Sequence, residues 1–191
     1  LLPNQSTCAA RLYAFDSFMD SFGENDERDD PIIRQYESTA GELVQGYGND
    51  KSLMMFKYGP DPNANGNNSG LDLVVLRYAD ILLAKAEALN ELEGPNEETI
   101  SLVNQIRNRA GAEPISMAEY SSKEALRDFI LEERIREFYF EGKSREDLVR
   151  QDKFISRAQQ RGLNAKERHN LYPIPQAEVQ SNSKIEQNQG Y

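Results

Sequence analysis

Positive charge, sulfur, histidine and long apolar runs are all scarce in this chain. Of 191 residues, 22 are lysine or arginine and 32 are aspartate or glutamate, a formal net charge of -10. Such a balance repels a phosphate backbone and argues against a nucleic-acid partner. The single cysteine, Cys8, permits no internal disulfide framework. No apolar stretch precedes it, so it reads as an ordinary thiol and not as a lipid-attachment site. The single histidine, His169, rules out a His-based metal triad and leaves no credible triad or thiol enzyme; its place before Leu171-Tyr172-Pro173 points to docking of the tail. No segment approaches the ~20 apolar residues of a membrane helix, so any membrane attachment comes from sequence outside this chain. Hydrophobic residues make up 38% and the mean hydropathy is -0.73, polar for a self-contained domain and consistent with a core shared with another segment.

The pattern changes near residue 70. Residues 1–70 form a loop-rich region with short strands: an acidic run ends at Pro31, a strand is plausible at Ser52 to Tyr58, and residues 59–70 are nearly all turn chemistry. From Leu76 the apolar positions Leu76, Ala79, Leu82 or Leu83, Ala86 and Leu89 or Asn90 recur at helical spacing. Gly94-Pro95 ends that helix. A second begins at Asn96, buries Ile100, Val103 and Ile106, and closes at Gly111. A third opens at Ser121-Ser122-Lys123-Glu124, which fits a capping box, and can run to Gly142. A short helix over Arg145 to Gln151 follows; the charged stretch to Arg168 is ambiguous, and the tail from His169 to Tyr191 should be extended. The fold class is therefore mostly α: helical hairpins, long irregular loops, a few short strands and a C-terminal tail, with residues 71–191 as the helical region.

Five segments are more specific. Leu76 to Glu91 (LRYADILLAKAEALNE) resembles the signature helix of the SusD/RagB family, which reads like R-Y-A-[DE]-[IV]-L-L-x-x-A-E-A-x-N. Asn104 to Gly111 (NQIRNRAG) is similar to that family's I-R-x-R-A-G, and Glu133 to Gly142 (ERIREFYFEG) to its E-R-R-x-E-[FL]-x-x-E-G. Leu171-Tyr172-Pro173-Ile174-Pro175 and Gln187-Asn188-Gln189-Gly190-Tyr191 resemble its P-I-P and Q-N-P-G-Y endings. Gln189 stands where the family usually carries proline, and Lys143-Ser144-Arg145-Glu146-Asp147-Leu148 lacks the tryptophan or other aromatic that the family tends to carry after the glycine. The resemblance implies a tetratricopeptide-like helical scaffold, and the 35 residues from 76 to 110 are close to that repeat's period of about 34. It further implies a surface-exposed outer-membrane lipoprotein that binds a nutrient, an oligosaccharide above all, and delivers it to a TonB-dependent SusC-like transporter without catalysis. The lipid anchor and the upstream repeats would lie before residue 1, and the natural end is expected at Tyr191. A protein-binding helical-repeat scaffold without a glycan ligand is the alternative.

A sugar site needs aromatic platforms flanked by amides and carboxylates. In residues 1–70 the candidates are Tyr36, Tyr47, Phe56 and Tyr58, which can equally be packing residues. Asp61, Asn63, Asn65, Asn67, Ser69 and Asp72, with Gly66 in sixth place, match the spacing of a calcium loop. Pro62 in second place and the lack of a preceding helix favour a solvated turn. Glu132, Glu133, Arg134, Arg136, Glu137 and Glu141 could pass for a catalytic carboxylate cluster. Helical spacing sets Glu132 beside Arg136 and Glu133 beside Glu137, so they are expected to form a partly solvated ion-pair face.

Overall fold

A computed structural model describes residues 14–37, 40–45, 54–55, 57–59, 61–63, 65 and 68–191. Cys8 lies outside them. The chain divides into two compact units, Leu1–Glu141 and Gly142–Tyr191, and not near residue 70 where turn chemistry is densest. The reason is electrostatic: Arg28 and Lys57, both upstream of the turn-rich loop, pair with Glu133 and Glu141 and tie the loop-rich part to the helices.

In the first unit, α1 (Asp16–Met19) precedes two short antiparallel ladders. Strand β1 (Ile32–Ile33) pairs with β4 (Met54–Met55), Ile32 opposite Met55; β2 (Gln35–Glu37) pairs with β3 (Leu43–Gln45), Tyr36 opposite Val44. Of the strand expected over residues 52 to 58, Met54–Met55 is described as β4, and residues 52, 53 and 56 lie outside the described residues. Met19, Ile32 and Tyr139 form a small core with Phe18 and Phe22, whose rings meet edge to face at 5.1 Å.

Three helices follow: α2 (Tyr78–Glu93), α3 (Glu97–Arg109) and α4 (Lys123–Glu137). Helix α2 starts two residues after Leu76, which is exposed; its inward strip is Ala79, Leu82, Leu83, Ala86 and Asn90. The alanines let α3 and α4 both pack on this strip, and Leu83, Ala86, Val103, Leu126 and Ile130 are wholly buried there. The Asn96 side chain accepts the Thr99 amide at 2.9 Å and starts α3, while Glu97 and Glu98 lie at its positive end. The cap of α4 is Ser122, accepting from the Ala125 amide at 3.1 Å. This is one residue later than a box built on Ser121, so Glu124 falls too early in the helix to reach back.

Helix α4 also stops earlier than the glycine at 142. Its last carbonyls are taken by side chains: Arg77 Nη2 donates to the Glu137 oxygen at 2.6 Å, and Lys57 Nζ donates to those of Glu137 and Tyr139 at 2.6 and 3.1 Å. Cationic donors at a helix C-terminus satisfy orphan acceptors and oppose the dipole. Phe138 then buries its ring in the core, and Phe140 turns the chain with φ +66°.

The second unit carries α5 (Ser144–Arg150), α6 (Phe154–Gln160), a single 3-10 turn at Glu167–Asn170 and α7 (Gln176–Ser181). Helix α6 lies in the stretch whose sequence is ambiguous. Helix α7 interrupts a tail expected to be extended, starting directly after Pro175, whose fixed φ suits a helix entry.

Candidate functional site

Of the four aromatic candidates near the N-terminus, Tyr47 and Phe56 lie outside the described residues. Tyr36 is half-buried on β2, and Tyr58 is exposed. Partial burial, then the negative charge of Glu141, pushes the Tyr58 hydroxyl up from its ordinary pKa. No ring contact joins Tyr36 to Tyr58 among the described residues.

In the turn-rich loop, the Asp61 carboxylate accepts the backbone N–H groups of Asn63 at 2.8 Å and Gly70 at 2.6 Å, and the Ser69 hydroxyl at 3.3 Å. The Gly70 and Asn63 amides hold its pKa below the usual carboxylate range. Asn65 and Asn68 exchange backbone hydrogen bonds across the turn, Asp72 is exposed, and Asn67 lies outside the described residues. Among the described residues, no group of three or more His, Cys, Asp or Glu side chains stands together as metal ligands would.

The glutamates of α4 depart from the expected solvated face. Glu133 is fully buried and Glu137 is 2% exposed. Arg28 donates to Glu133 Oε1 at 2.7 Å, while Arg107 and Arg136 both donate to Oε2 at 2.8 Å. Arg109 Nη2 reaches both oxygens of Glu137 at 2.6 Å, and Arg77 and Arg28 also pair with it. Arg77 holds Glu141 through Nε and Nη2, each at 2.9 Å, with Lys57 as a further partner. Arg136 pairs with Glu133, three residues before it. The reason for the inward turn is that the residues at 133, 137 and 141 face arginines delivered by two other segments. Arg77 belongs to the first signature segment, Arg107 and Arg109 to the second, and the three glutamates to the third. Three motifs far apart in sequence meet in one buried charge network.

Burial alone would raise the carboxyl pKa of Glu133, but Arg28, Arg136 and Arg107 outweigh it and hold the pKa down. At Glu141, burial is likewise outweighed by Arg77 and Lys57. Carboxylates so locked in the ionised form cannot serve as general acids near neutral pH. Each has several charge-assisted partners, the condition under which buried ions are tolerated. The network is a brace.

The second unit interlocks its own two motifs. Gln187 pairs with both the N–H and the C=O of Ile174 at 2.8 Å, and Asn188 Nδ2 donates to the Tyr172 oxygen at 2.7 Å. The Tyr191 hydroxyl donates to the Leu171 oxygen at 2.9 Å, and Arg168 Nη1 to the Gly190 oxygen at 2.7 Å. A Cβ on Gly190 would come within 3.1 Å of Arg168 Cβ, so glycine lets the two segments close.

This closure leaves an open pocket of about 440 Å³, lined among others by Arg145, Phe154, His169, Tyr172 and Tyr191. The Arg145 guanidinium lies 4.1 Å from the Tyr172 ring centroid and 5.1 Å from that of Phe154. Tyr172 stays 70% exposed and Tyr191 45% exposed. Aromatic faces beside polar groups are what sugar recognition needs. The sequence signal was present as tyrosines interleaved with arginine and histidine between 168 and 191, but those tyrosines sit inside motifs that read as structural endings.

The family model described as SusD family matches residues 33–191. SusD-like protein P38 of Formosa agariphila is 39% identical over 129 residues, 64% of this chain and 24% of that protein. The starch-binding protein SusD of Bacteroides thetaiotaomicron is 26% identical over 161 residues, 78% of this chain and 28% of that protein. A crystal structure of a SusD superfamily protein from Parabacteroides distasonis superposes with TM-score 0.71 at 29% identity, over 94% of this chain and 42% of that one. A laminarin binding SusD-like protein gives TM-score 0.67 at 29% identity, over 94% and 38%. The chain spans about a quarter of the length of the curated relatives it matches. With a mostly helical fold and a family match over most of its length, the chain belongs to the SusD family.

Proposed function

We propose that the protein carrying this chain binds an oligosaccharide at the bacterial outer-membrane surface and passes it, uncleaved, to a TonB-dependent SusC-like transporter. The observation that carries this reading is the family match over residues 33–191, together with one relative named for starch binding and one structure named for laminarin binding. Starch and laminarin are both polymers of neutral sugar, which favours a glycan over a peptide as the nutrient. Among the described residues no helix is long and apolar enough to cross a membrane, and the reading takes the attachment to be the lipid anchor that the family resemblance implies. Capture at the surface raises the ligand's local concentration at the transporter, and the protein acts by binding and release, without bond cleavage.

A glycan array with the full-length protein tests this. Saturable binding to at least one oligosaccharide, recovered intact after incubation, is the expected result. No glycan binding, with retention of a protein partner alone, would leave a helical interaction scaffold in its place. Release of shortened sugars would point to an enzyme.

A further inference from the structure

The second unit differs from the rest of the chain in its charge. Residues 142–191 carry nine basic and six acidic side chains, a net +3, in a chain whose total is -10. Among the described residues, Arg28, Arg77, Arg107, Arg109, Arg127 and Arg134 each have at least one carboxylate partner within 4 Å. Arg145, which lines the pocket, and Arg168, beside its lining residue Tyr191, are held differently. Arg145 Nη2 donates to the carbonyl oxygens of His169 and Asn170 at 3.2 and 2.9 Å, and its plane covers Phe154 and Tyr172. Arg168 donates to the Gly190 carbonyl and lies 5.4 Å from the Tyr191 ring centroid. Backbone carbonyls and aromatic faces orient a guanidinium, yet carry no full negative charge to cancel it. One fixed cation, Arg145, therefore lines an open aromatic pocket, and a second, Arg168, stands against the ring of its lining residue Tyr191, on an otherwise acidic chain.

We propose that this pocket binds an acidic sugar, a pyranose bearing a carboxylate or a sulfate. The exposed ring of Tyr172, with that of Tyr191, offers an apolar surface for the face of the pyranose. Arg145 and Arg168 supply positive charge for the acid group. The chemistry of a planar guanidinium suits an oxyanion with two oxygens in one plane, and a carboxylate or sulfate presents them. A neutral glucan would gain the stacking and not the charge. The proposal rests on the reading of this protein as a glycan binder, and it gives that binder a subsite with a sign.

The test is calorimetric titration of the full-length protein with an oligoglucuronate and with a neutral oligoglucose of the same length and linkage. The acidic oligomer is expected to bind at least tenfold tighter, with affinity falling as sodium chloride rises from about 50 to 500 mM. Tyr172→Ala is chosen because its side chain is mostly exposed, and it is expected to weaken oligoglucuronate binding by about tenfold while leaving the melting temperature unchanged. Arg168→Gln, which leaves Arg145 in place, should remove part of the salt dependence. Equal affinity for the two oligomers, or unchanged affinity in both variants, would overturn the subsite and leave glycan binding standing. A lowered melting temperature in Tyr172→Ala with unchanged affinity would overturn it too, showing that the ring is a packing residue. Binding of an acidic peptide in preference to either sugar would also overturn it. Failure to bind any glycan on the array, by contrast, would remove the reading on which it rests.

Discussion

Gln187 pairs with Ile174 at both backbone groups, accepting its N–H and donating to its C=O at 2.8 Å. A side-chain amide thereby does for one residue what a neighbouring strand does for many, and it joins the Pro-Ile-Pro segment to the last turn of the chain. Gln187→Ala leaves both groups of Ile174 without this partner, in a part-buried place. The expected loss is about 1–3 kcal/mol, read as a lower denaturation midpoint and faster proteolysis of the tail.

Gly111 follows α3 with φ +68°, and a Cβ placed there would stand 2.7 Å from the Asn25 oxygen. The approach is tight because the Glu27 amide donates to the Ala110 oxygen at 2.8 Å, docking the acidic loop on the helix end. Gly111→Ala meets both strain and a backbone clash. Destabilisation on the order of 2 kcal/mol or more is expected in chemical denaturation, with Gly23→Ala, which has open space around it, as the mild comparison.

Acid should unfold the first unit through its braced glutamates. Glu133 and Glu141 have folded pKa values below their ordinary value, Glu133 because three arginines outweigh burial and Glu141 because Arg77 and Lys57 do. On the surface, hydrogen bonding from Arg127 brings Glu91 down to about 2. Depressed carboxyl values mean that the unfolded chain takes up protons first as pH falls. The stability they confer is complete above the ordinary glutamate range near 4.3 and is lost as pH drops below it through the folded values. Melting temperature measured from pH 7 to pH 3 should hold nearly level to about pH 5 and then fall. A rise on acidification would contradict the brace.

The three long helices were legible in the sequence because their apolar positions repeat at helical spacing and their caps are ordinary: Asn96 and a serine start two of them. Boundaries were less so. Ser121 and Ser122 are equivalent as local caps, and only the docking of α4 chooses between them. The early end of α4 depends on Arg77 and Lys57, which no local reading connects to Glu137. The charges at 133, 137 and 141 misled for the same reason: spacing reveals which residues share a helix face, and not whether arginines from two other segments wait on that face. The short helix after Pro175 has almost no apolar signal, since none of its residues is buried. The pocket of the second unit was hidden inside segments whose motif content is structural, while the aromatic candidates near the N-terminus rest in part on residues outside those described.

Glu137 belongs to the buried charge network that braces the first unit, and its role is structural. Removing its charge leaves Arg28, Arg77 and Arg109 facing a neutral amide; Arg28 and Arg77 keep Asp26, Glu133 and Glu141, and the expected loss is about 1.5–3 kcal/mol. The decisive measurement is therefore made on full-length Glu137→Gln, comparing its denaturation midpoint with its affinity, at 10 °C, for the glycan that the natural protein binds. A clear loss of stability with affinity within about twofold is predicted; an unchanged midpoint with affinity lost would place Glu137 in the binding site and contradict the account.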